Sequence, residues 1–163
     1  YEIVASLVGS EMCIRDSITA GHEDLVKRAS NIFELVIVAV AYNTQKNTLF
    51  SYDERYDMCR KVLSKYKNVD VIKLDKLTVE HAKELEAKVM LRGLRAVSDF
   101  EYEVQLSNLN RAMNPGIESI FLSPDEKYSF ISSSIIKDIA RHNGELKMFV
   151  DDYVEKKLRE KVN

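Results

Sequence analysis

The sequence predicts a single α/β domain built on a doubly wound parallel sheet of about five strands. Apolar, β-branched segments such as Leu35–Ala41 alternate with segments of helical periodicity, which is typical of parallel sheets covered on both faces. The 163 residues, 45% of them hydrophobic, suit one core, and the chain is too short for two ordinary domains. Only five Gly and two Pro residues leave little sequence for long linkers.

The N-terminal half of the predicted domain contains two helices and two strands. Apolar residues over 25–33 recur at helical spacing, and the unbroken apolar run Leu35–Ala41 after them predicts a buried strand. Ser51 and the glutamate three residues later form a capping box, which begins a helix that extends to about Tyr66. The β-branched run Val69–Leu74 predicts the next strand.

The C-terminal half continues the alternation of helices and strands. Its predicted elements are helix Thr78–Glu86, strand Lys88–Leu91, helix Val97–Met113, strand Ile117–Leu122, helix Ser133–His142 and a charged helix from about Asp151. One side of the longest helix carries four apolar residues, Tyr102, Leu106, Leu109 and Met113. Gly144 is predicted to stop the fifth helix. This order predicts a Rossmann-like fold, in which ligands bind at the carboxyl ends of the strands, where the strand order reverses.

The first 17 residues are predicted to be foreign to this domain. The stretch Leu7–Asp16 (LVGSEMCIRD) resembles the translation of a transposon-based sequencing-library adapter, whose last bases also begin the codon of Ser17. A signal peptide fits poorly because no basic region precedes the apolar run, which Ser and Gly residues interrupt. An ordinary first strand is the other alternative. We therefore predict a domain over 18–163 and a non-native segment over 1–17 that replaces the native first strand.

The composition excludes several classes of protein. A formal net charge of −2, with acidic and basic residues interspersed, argues against a nucleic-acid partner. No apolar run approaches the roughly 18 residues that a membrane span requires, so no membrane partner is expected. The cysteines, Cys13 and Cys59, are too few for a disulfide scaffold and lack metal-ligand spacing. We therefore expect a cytoplasmic protein without a protein-held metal site.

Phosphate-binding signatures of the common kinds are absent, since neither GxGxxG nor GxxxxGK with a following Ser or Thr occurs. Two candidates for an anion site remain in the first part of the domain. His22 ends the sequence TAGH (Thr19–His22), which opens a helix, where an N–H donor and the helix dipole favour an anion. Lys46 lies in the polar loop after strand Leu35–Ala41. The alternatives are an ordinary surface histidine and a solvated lysine.

Two further candidates follow later strands. The sequence RGLR (Arg92–Arg95) comes directly after the third predicted strand, and its guanidinium groups suit a phosphate clamp because they bind phosphate oxygens bidentately. An ion-pair network with Asp99, Glu101 and Glu103 is the alternative. The sequence YSFISSS (Tyr128–Ser134) runs into a helix, where its serines supply either helix caps or hydroxyl and N–H groups for a polyphosphate.

Taken together, these segments resemble bacterial phosphopantetheine adenylyltransferase, a family of the nucleotidyltransferase superfamily. TxGH, RGLRAxxDFEYE and SFISSS occur here in the order and at the spacing of that family, and the resemblance covers residues 18–163. RGLRAVSDFEYEVQLSNLNR (Arg92–Arg111) and YSFISSSIIKDIARHNG (Tyr128–Gly144) are similar to its signature segments. TxGH alone would indicate only the wider superfamily.

The resemblance implies adenylyl transfer from ATP to 4′-phosphopantetheine, which gives dephospho-coenzyme A and pyrophosphate, with Mg²⁺ as counter-ion. It also implies a role in coenzyme A biosynthesis and a homohexamer. Because the acceptor phosphate is already a nucleophile, no Ser or Cys nucleophile and no strong general base is needed. We therefore expect a single-step displacement without an adenylyl-enzyme intermediate.

Residue roles follow from the same resemblance. His22 matches the histidine that stabilises the transition state at the α-phosphate, Lys46 a lysine that contacts substrate phosphate, and Arg92 an arginine that binds phosphopantetheine; these are the predicted catalytic residues. Thr78 sits where the family makes backbone contacts to the pantetheine arm. Besides His22, the implied ATP-binding positions are Gly93, Leu94, Arg95, Glu103, Tyr128, Ser129, Phe130, Ile131, Ser132, Ser133 and Ser134.

The residues before 18 depart from the family's pattern. The family has a Pro-Gly-Thr/Ser-Phe-Asp-Pro loop at the end of its first strand, whereas Ile14 stands here at the hydroxyl position, Arg15 at the Phe and Ser17 at the second Pro. Asp16 matches only by coincidence of register, so no role is assigned before residue 18. We expect the native gene to encode an active enzyme and this exact chain to fold poorly or lack activity.

Two alternative functions stay open at this point. The first is a related nucleotidyltransferase with another phosphate acceptor, such as nicotinamide mononucleotide or a sugar or polyol phosphate. The second is a catalytically inactive nucleotide-binding protein. The RGLR and SFISSS sequences favour the pantetheine enzyme, and the release of pyrophosphate with each acceptor would discriminate among the three.

Overall fold

A computed structural model of the chain describes residues 2–5, 17–42, 48–95 and 97–162, and the side chains of 17–42, 48–95 and 99–162. Its strands are β1 (Glu2–Ala5), β2 (Leu35–Ala41), β3 (Val69–Leu74), β4 (Val89–Gly93) and β5 (Glu118–Leu122). Its helices are α1 (Ala20–Ser30), α2 (Tyr52–Leu63), α3 (Thr78–Glu84), α4 (Val97–Met113), α5 (Ser133–Arg141) and α6 (Asp152–Val162). None of the described helices is long and apolar enough to span a membrane. The predicted single α/β domain with parallel strands is confirmed.

The described strands pair in the order β3-β2-β1-β4-β5, and each pairing is parallel. β1 lies at the centre, where Ile3 is in register with Val36 of β2 on one side and with Val89 of β4 on the other. The chain runs outward from β1 to β3 and then crosses back to β4, so the strand order reverses beside β1. The carboxyl ends of β1 and β4 therefore form the edge where ligands of such sheets bind.

The two faces of the sheet bury separate apolar clusters. Alternate residues of β2 point to opposite faces, so that Val36, Val38 and Val40 join the larger cluster and Ile37 joins the smaller one. The larger cluster includes side chains from α1, α2, α5 and α6, and the smaller one includes Val79 of α3. This burial on both faces explains why β2 is apolar at every position.

The central strand corrects one expectation. The sequence predicts a domain without its first strand, whereas Glu2–Ala5 occupies that place between β2 and β4. Without it, the facing edges of β2 and β4 would leave backbone N–H and C=O groups unpaired inside the sheet, which is costly. Ile3 and Val4 belong to the residue types that favour extended backbone. The adapter origin of residues 1–17 stays a prediction.

The third predicted strand ends too early. β4 continues two residues past its predicted end at Leu91, because Arg92 pairs with Phe121 and Gly93 with Leu122 of β5. The RGLR sequence therefore begins inside the strand and not after it. A charged residue followed by glycine gave a loop signal in the sequence, but parallel pairing and burial determine the strand here.

Two helices end earlier in the structure than the spacing of apolar residues predicts. α1 ends at Ser30, so Ile32 lies outside the helix and is 63% exposed. α2 ends at Leu63, and Tyr66 lies beyond it, where its hydroxyl donates a hydrogen bond to Oε1 of Glu23 at 2.9 Å. The capping box that begins α2 at Ser51 is present as predicted.

Two helices end at a left-handed residue that is not glycine. Glu86 follows α3 with φ 53°, and Asn143 follows α5 with φ 54°. The predicted stop at Gly144 is therefore one residue late. Gly144 has a different requirement, because a Cβ atom there would lie 2.7 Å from Cγ2 of Ile139. The close approach of α5, and not a left-handed backbone, makes glycine necessary at this position.

α4 packs its polar side against the rest of the domain. The apolar side predicted from the sequence is largely exposed, at 43% for Tyr102, 54% for Leu109 and 47% for Met113. The buried polar residues of this helix are Glu103, Ser107 and Asn110. An apolar helix side exposed in this way is typical of surfaces that contact another protein.

Candidate functional site

Three segments singled out in the sequence meet in one cleft. It has a volume of about 330 Å³, part of it open to solvent, and lies beyond the carboxyl ends of β4 and β5 and beside the start of α1. The residues that line it are Thr19, Gly21, His22, Arg95, Pro124, Tyr128, Ile131, Ser132 and Ser133. The TAGH, RGLR and YSFISSS sequences each contribute at least one of them, at the edge of the sheet where the strand order reverses.

The ring of His22 is held in one orientation by Thr19. The backbone N–H of Thr19 donates to Nδ1 of His22 at 3.1 Å, and Oγ1 of Thr19 lies 2.9 Å from the same nitrogen. Oγ1 of Thr19 also accepts a hydrogen bond from the backbone N–H of His22 at 3.4 Å, which completes a capping box. Because Nδ1 accepts an N–H bond, the proton of the neutral ring is on Nε2. His22, only 7% exposed, is therefore built as a donor at Nε2.

The backbone donors at the start of α1 are largely used within the protein. The N–H of Ala20 donates to the carbonyl of Phe149 at 2.8 Å, and that of His22 is held by Thr19. A Cβ atom on Gly21 would lie 3.4 Å from Cβ of Tyr128, so a residue larger than alanine there would crowd Tyr128. At this helix start the imidazole, more than the backbone, is the group suited to an anion.

At the start of α5, in contrast to α1, the backbone N–H groups are the part suited to an anion. The hydroxyl of Ser132 accepts from the N–H of Ile135 at 3.2 Å and caps the helix, and the first intrahelical bond runs from Ile136 N–H to the carbonyl of Ser132 at 3.0 Å. The N–H groups of a first helical turn precede that ladder and carry the positive end of the helix dipole. Ser132 and Ser133 line the cleft, so this helix start suits a phosphate group.

The two arginines of RGLR take different places. Arg95 lines the cleft, its Nη1 donates to the carbonyl of Ile131 at 3.2 Å, and its Nε lies 3.5 Å from Oδ2 of Asp99. Arg92 is 4% exposed, lies away from the cleft lining and has its Nε 3.6 Å from Oε2 of Glu103. Both arginines therefore make ion pairs, as the alternative interpretation predicts, and one of them is also placed to meet a ligand in the cleft.

Three other predicted site residues, Thr78, Gly93 and Leu94, lie outside the cleft lining. Thr78 begins α3 and is half-buried, Gly93 is the last residue of β4, and the N–H of Leu94 donates to the carbonyl of Leu122 at 2.9 Å. The exposed members of the YSFISSS sequence are Ser129, Phe130 and Ser134. Lys46 falls outside the residues that the structure describes.

The structure adds two residues that sequence reasoning missed. Pro124 lines the cleft just after β5. Asn110 is buried on the side of α4 that carries Glu103, seven residues earlier, and its Nδ2 has no hydrogen-bond partner among the described residues. The seven-residue spacing, two helical turns, was the available signal. It was masked because the apolar residues of α4 were expected to face the core.

The buried Glu103 has an altered acidity. Burial raises the pKa of this carboxyl above its ordinary value of 4.5, the nearby Arg92 opposes that rise, and Asp99 adds to it. The folded state therefore holds a proton on Glu103 more readily than the unfolded chain does. Under this linkage the group stabilises the fold most below the ordinary pKa, and the contribution is lost as the pH rises through the raised value.

We expect Glu103→Gln to remove this pH dependence. As the pH rises from about 4.5 toward 7, the free energy of unfolding of the wild type should fall relative to that of the variant, because only the wild type loses the proton. Urea unfolding at a series of pH values measures the difference. Glu118→Gln, at an exposed carboxylate paired with Arg111, is the control. Parallel pH profiles for wild type and Glu103→Gln would contradict the assignment.

Among the described residues, the one cysteine is not placed as a nucleophile and no side chains cluster around a metal position. Cys59 is buried, and burial raises the pKa of its thiol to about 12, so it remains a protonated core residue at neutral pH. Among the described side chains, no group of three or more His, Cys, Asp or Glu is arranged to hold a metal ion. The cleft instead contains hydrogen-bond donors, namely an imidazole, a guanidinium group and a helix start. Such donors stabilise negative charge on a phosphate.

Comparisons with known proteins agree with this geometry. Residues 16–139 match the model of the cytidylyltransferase-like family. The chain is 51% identical over 146 residues to the phosphopantetheine adenylyltransferase of Nitrosomonas eutropha, an alignment that covers 90% of this chain and 89% of that protein.

Solved structures share the fold at low sequence identity. A protein described as a nicotinate-nucleotide adenylyltransferase from Vibrio parahaemolyticus superposes with a TM-score of 0.65 at 11% identity, over 98% of this chain and 99% of that one. A lipopolysaccharide core biosynthesis protein from Thermoplasma volcanium gives a TM-score of 0.52 at 18% identity, over 76% and 95% of the two chains. These likenesses establish the architecture alone. The family match and the 51% identity place the chain in the cytidylyltransferase-like family and, within it, among the phosphopantetheine adenylyltransferases.

Proposed function

We propose that this protein, with the N-terminus of its native gene, transfers the adenylyl group of ATP to 4′-phosphopantetheine, forming dephospho-coenzyme A and pyrophosphate, as a cytoplasmic step of coenzyme A biosynthesis. The observation that carries the proposal is the cleft that joins His22, Arg95 and the start of α5 at the switch point of the sheet. The 51% identity to a phosphopantetheine adenylyltransferase supports this acceptor over nicotinamide mononucleotide or a polyol phosphate.

The cleft residues divide the work on ATP. The start of α5, with Ser132 and Ser133, receives phosphate oxygens, and Arg95 adds a positive charge beside them. Nε2–H of His22 donates to an oxygen of the α-phosphate, where negative charge grows in the transition state. A phosphate oxygen of the acceptor attacks the α-phosphorus in line, the bond to the bridging oxygen breaks, and pyrophosphate leaves with the electron pair. No covalent adenylyl-enzyme forms.

The acceptor residues are assigned from the resemblance and from the topology. Lys46 follows β2, Thr78 follows β3, and Arg92 is the penultimate residue of β4. Because carboxyl ends of parallel strands meet at one edge of a sheet, Thr78 and Arg92 lie toward the edge that bears the cleft, and Lys46, outside the described residues, is assigned from the resemblance alone. Arg92 would bind phosphopantetheine, with Glu103 holding its guanidinium group in place. The remaining predicted ATP-binding residues, between Gly93 and Ser134 in the sequence, are assigned to the same edge of the sheet.

Mg²⁺ belongs to the proposal as the counter-ion of ATP. The described residues lack a cluster of three or more ligating side chains, which fits an ion held by phosphate oxygens and water and not by a protein cage. When bound, it neutralises charge on the polyphosphate. No residue of this chain is assigned to it.

The homohexamer implied by the resemblance also belongs to the proposal. Its support is the apolar side of α4, where Tyr102, Leu109 and Met113 are between 43% and 54% exposed. We expect Leu109→Glu to lower the sedimentation mass, because a charge at an apolar contact is costly to desolvate. Glu101→Gln, on an exposed polar position of the same helix, is the control. A single-chain mass for the wild type in sedimentation equilibrium would refute the hexamer.

The foreign origin of residues 1–17 is likewise proposed. The match to the Nitrosomonas eutropha enzyme spans 146 residues, which equals the length of residues 18–163. Sequencing genomic DNA across the codons of Ser17 and Ile18 tests this origin. Chromosomal codons that continue the adapter-like sequence upstream of Ile18 would refute it.

Pyrophosphate release from ATP with a panel of acceptors tests the proposed activity. Phosphopantetheine should support turnover with Mg²⁺, whereas nicotinamide mononucleotide and polyol phosphates should give rates at least about 10²-fold lower, the scale for a site that lacks its intended polar partners. Turnover with another acceptor alone would favour a related transferase. An adenylyl group trapped covalently on the protein would overturn the single-step mechanism.

A further inference from the structure

A contact on the outside of the cleft ties α1 to the loop after β5. Nη1 of Arg28 donates a hydrogen bond to the carbonyl of Ser123 at 2.5 Å. The backbone N–H of Asp125 donates to Oδ2 of Asp24 at 3.3 Å, and that oxygen lies 3.6 Å from Nη1 of Arg28. Asp24 and Arg28 are four residues apart on one side of α1, so a single helix side holds two backbone groups of this loop.

The held loop leads directly into the YSFISSS sequence. The side chain of Asp125 accepts from the N–H of Lys127 at 3.2 Å, and its carbonyl accepts from the N–H of Tyr128 at 2.8 Å. Asp125 therefore caps the 3-10 turn Glu126–Tyr128. Since Tyr128 lines the cleft and packs near Gly21, the position of Asp125 determines where the segment that follows enters the site.

We propose that Asp24 and Arg28 are positioning residues that set the distance between His22 and the phosphate-binding start of α5. His22 is in the first turn of α1 and the pair spans the next two turns, so the helix carries the donor and the clamp as one rigid unit. Neither residue of the pair lines the cleft. The inference rests on the proposed function for its effect on turnover, but the clamp itself is a property of the folded chain.

We expect the clamp to matter more for kcat than for the stability of the fold. Asp24 is 18% and Arg28 42% exposed, and ion pairs in such places add little to stability. Positioning is more sensitive, because small displacements of reacting groups are costly to the rate. We expect Arg28→Ala and Asp24→Ala each to lower kcat by about tenfold. Asp24→Asn should retain most of it, since its amide oxygen can still accept from the N–H of Asp125.

α6 offers a matched control. Arg159 donates to Glu155, four residues earlier, at 2.7 Å, and to the carbonyl of Gly144 at 2.9 Å. Its exposure of 32%, beside 18% for Glu155, is close to that of the clamp. Arg159→Ala thus removes the same kind of contact from a part of the fold away from the cleft, and kcat should stay within about twofold of wild type.

Amide hydrogen exchange on the full chain tests the clamp without substrate. In Arg28→Ala, the amides of Asp125, Lys127 and Tyr128 should exchange about tenfold faster than in wild type, while α1 keeps its protection. In Arg159→Ala they should exchange at the wild-type rate. Unchanged exchange at the three amides in Arg28→Ala would overturn the clamp, whatever the activity of the chain.

Turnover separates the two levels of the proposal. Faster exchange in Arg28→Ala together with lower kcat, an unchanged KM for phosphopantetheine and rescue in Asp24→Asn would support a positioning role. Equal losses of kcat in Arg28→Ala and Arg159→Ala would overturn it in favour of general destabilisation. If wild type formed no dephospho-coenzyme A, the proposed function and the kinetic role would both fail, and exchange would still decide whether the clamp exists.

Discussion

Replacing His22 with alanine should lower kcat by about 10²-fold or more, the scale for removing one transition-state donor. Thr19 holds Nδ1 as an acceptor, which leaves Nε2–H as the donor, and His22 is one of the residues that line the cleft. The hydrogen bond from that donor is stronger in the transition state, where charge develops at the α-phosphate, than in the ground state. Its loss should therefore lower kcat and kcat/KM together. Steady-state kinetics with ATP and phosphopantetheine measure the effect.

The control for this variant is the exposed histidine of α5. His142→Ala removes an imidazole whose Nδ1 lies 2.8 Å from the carbonyl of Asp138, away from the cleft, and it should leave kcat within about twofold. A rise in KM for ATP with unchanged kcat in His22→Ala would mean that this residue binds ATP in the ground state only. That result would contradict the role assigned here.

Glu103→Ala should lower the free energy of unfolding by about 3–5 kcal/mol, because it breaks a buried ion pair by removing the carboxylate beside Arg92. Arg92 and Glu103 are each 4% exposed, so the pair is desolvated. Glu103→Gln should cost less, since the amide keeps an oxygen beside the guanidinium group and fills nearly the same space. Urea unfolding followed by circular dichroism measures both changes.

An exposed ion pair of the same types is the comparison. Glu118→Ala removes the partner of Arg111, whose Nη2 lies 2.6 Å from the carboxylate at the start of β5. Both side chains are more than half exposed, so the loss should be about 0–1 kcal/mol. Equal losses for Glu103→Ala and Glu118→Ala would contradict the assignment of Arg92 and Glu103 as a desolvated pair.

Local patterns in the sequence predicted much of the fold and the elements of the site. Strands Leu35–Ala41 and Val69–Leu74 are as predicted, because continuous apolar or β-branched runs admit few other structures at that length. The capping box at Ser51 begins α2 for a similarly local reason. The meeting of TAGH, Arg95 and YSFISSS follows from topology, since parallel strands bring their carboxyl ends to one edge.

The errors arise where long-range packing overrides local preference. Nothing near Arg92 indicates that β5 pairs with it and extends β4 by two residues. The apolar residues of α4 predict a side that faces the core. The buried side instead carries the polar residues Glu103 and Asn110, and Glu103 pairs there with the buried Arg92. Local periodicity cannot distinguish a helix side that faces its own core from one that faces a partner.

Formation of dephospho-coenzyme A is the measurement that tests the central claim most directly. The protein, with the proposed foreign segment 1–17 replaced by the residues that genomic DNA encodes there, is incubated with ATP, Mg²⁺ and 4′-phosphopantetheine, and the products are quantified by mass spectrometry. We predict equal amounts of dephospho-coenzyme A and pyrophosphate, with the rate lowered by about 10²-fold in His22→Ala. Stabilisation of the protein by ATP without any dephospho-coenzyme A would contradict the account and indicate a nucleotide-binding protein without turnover.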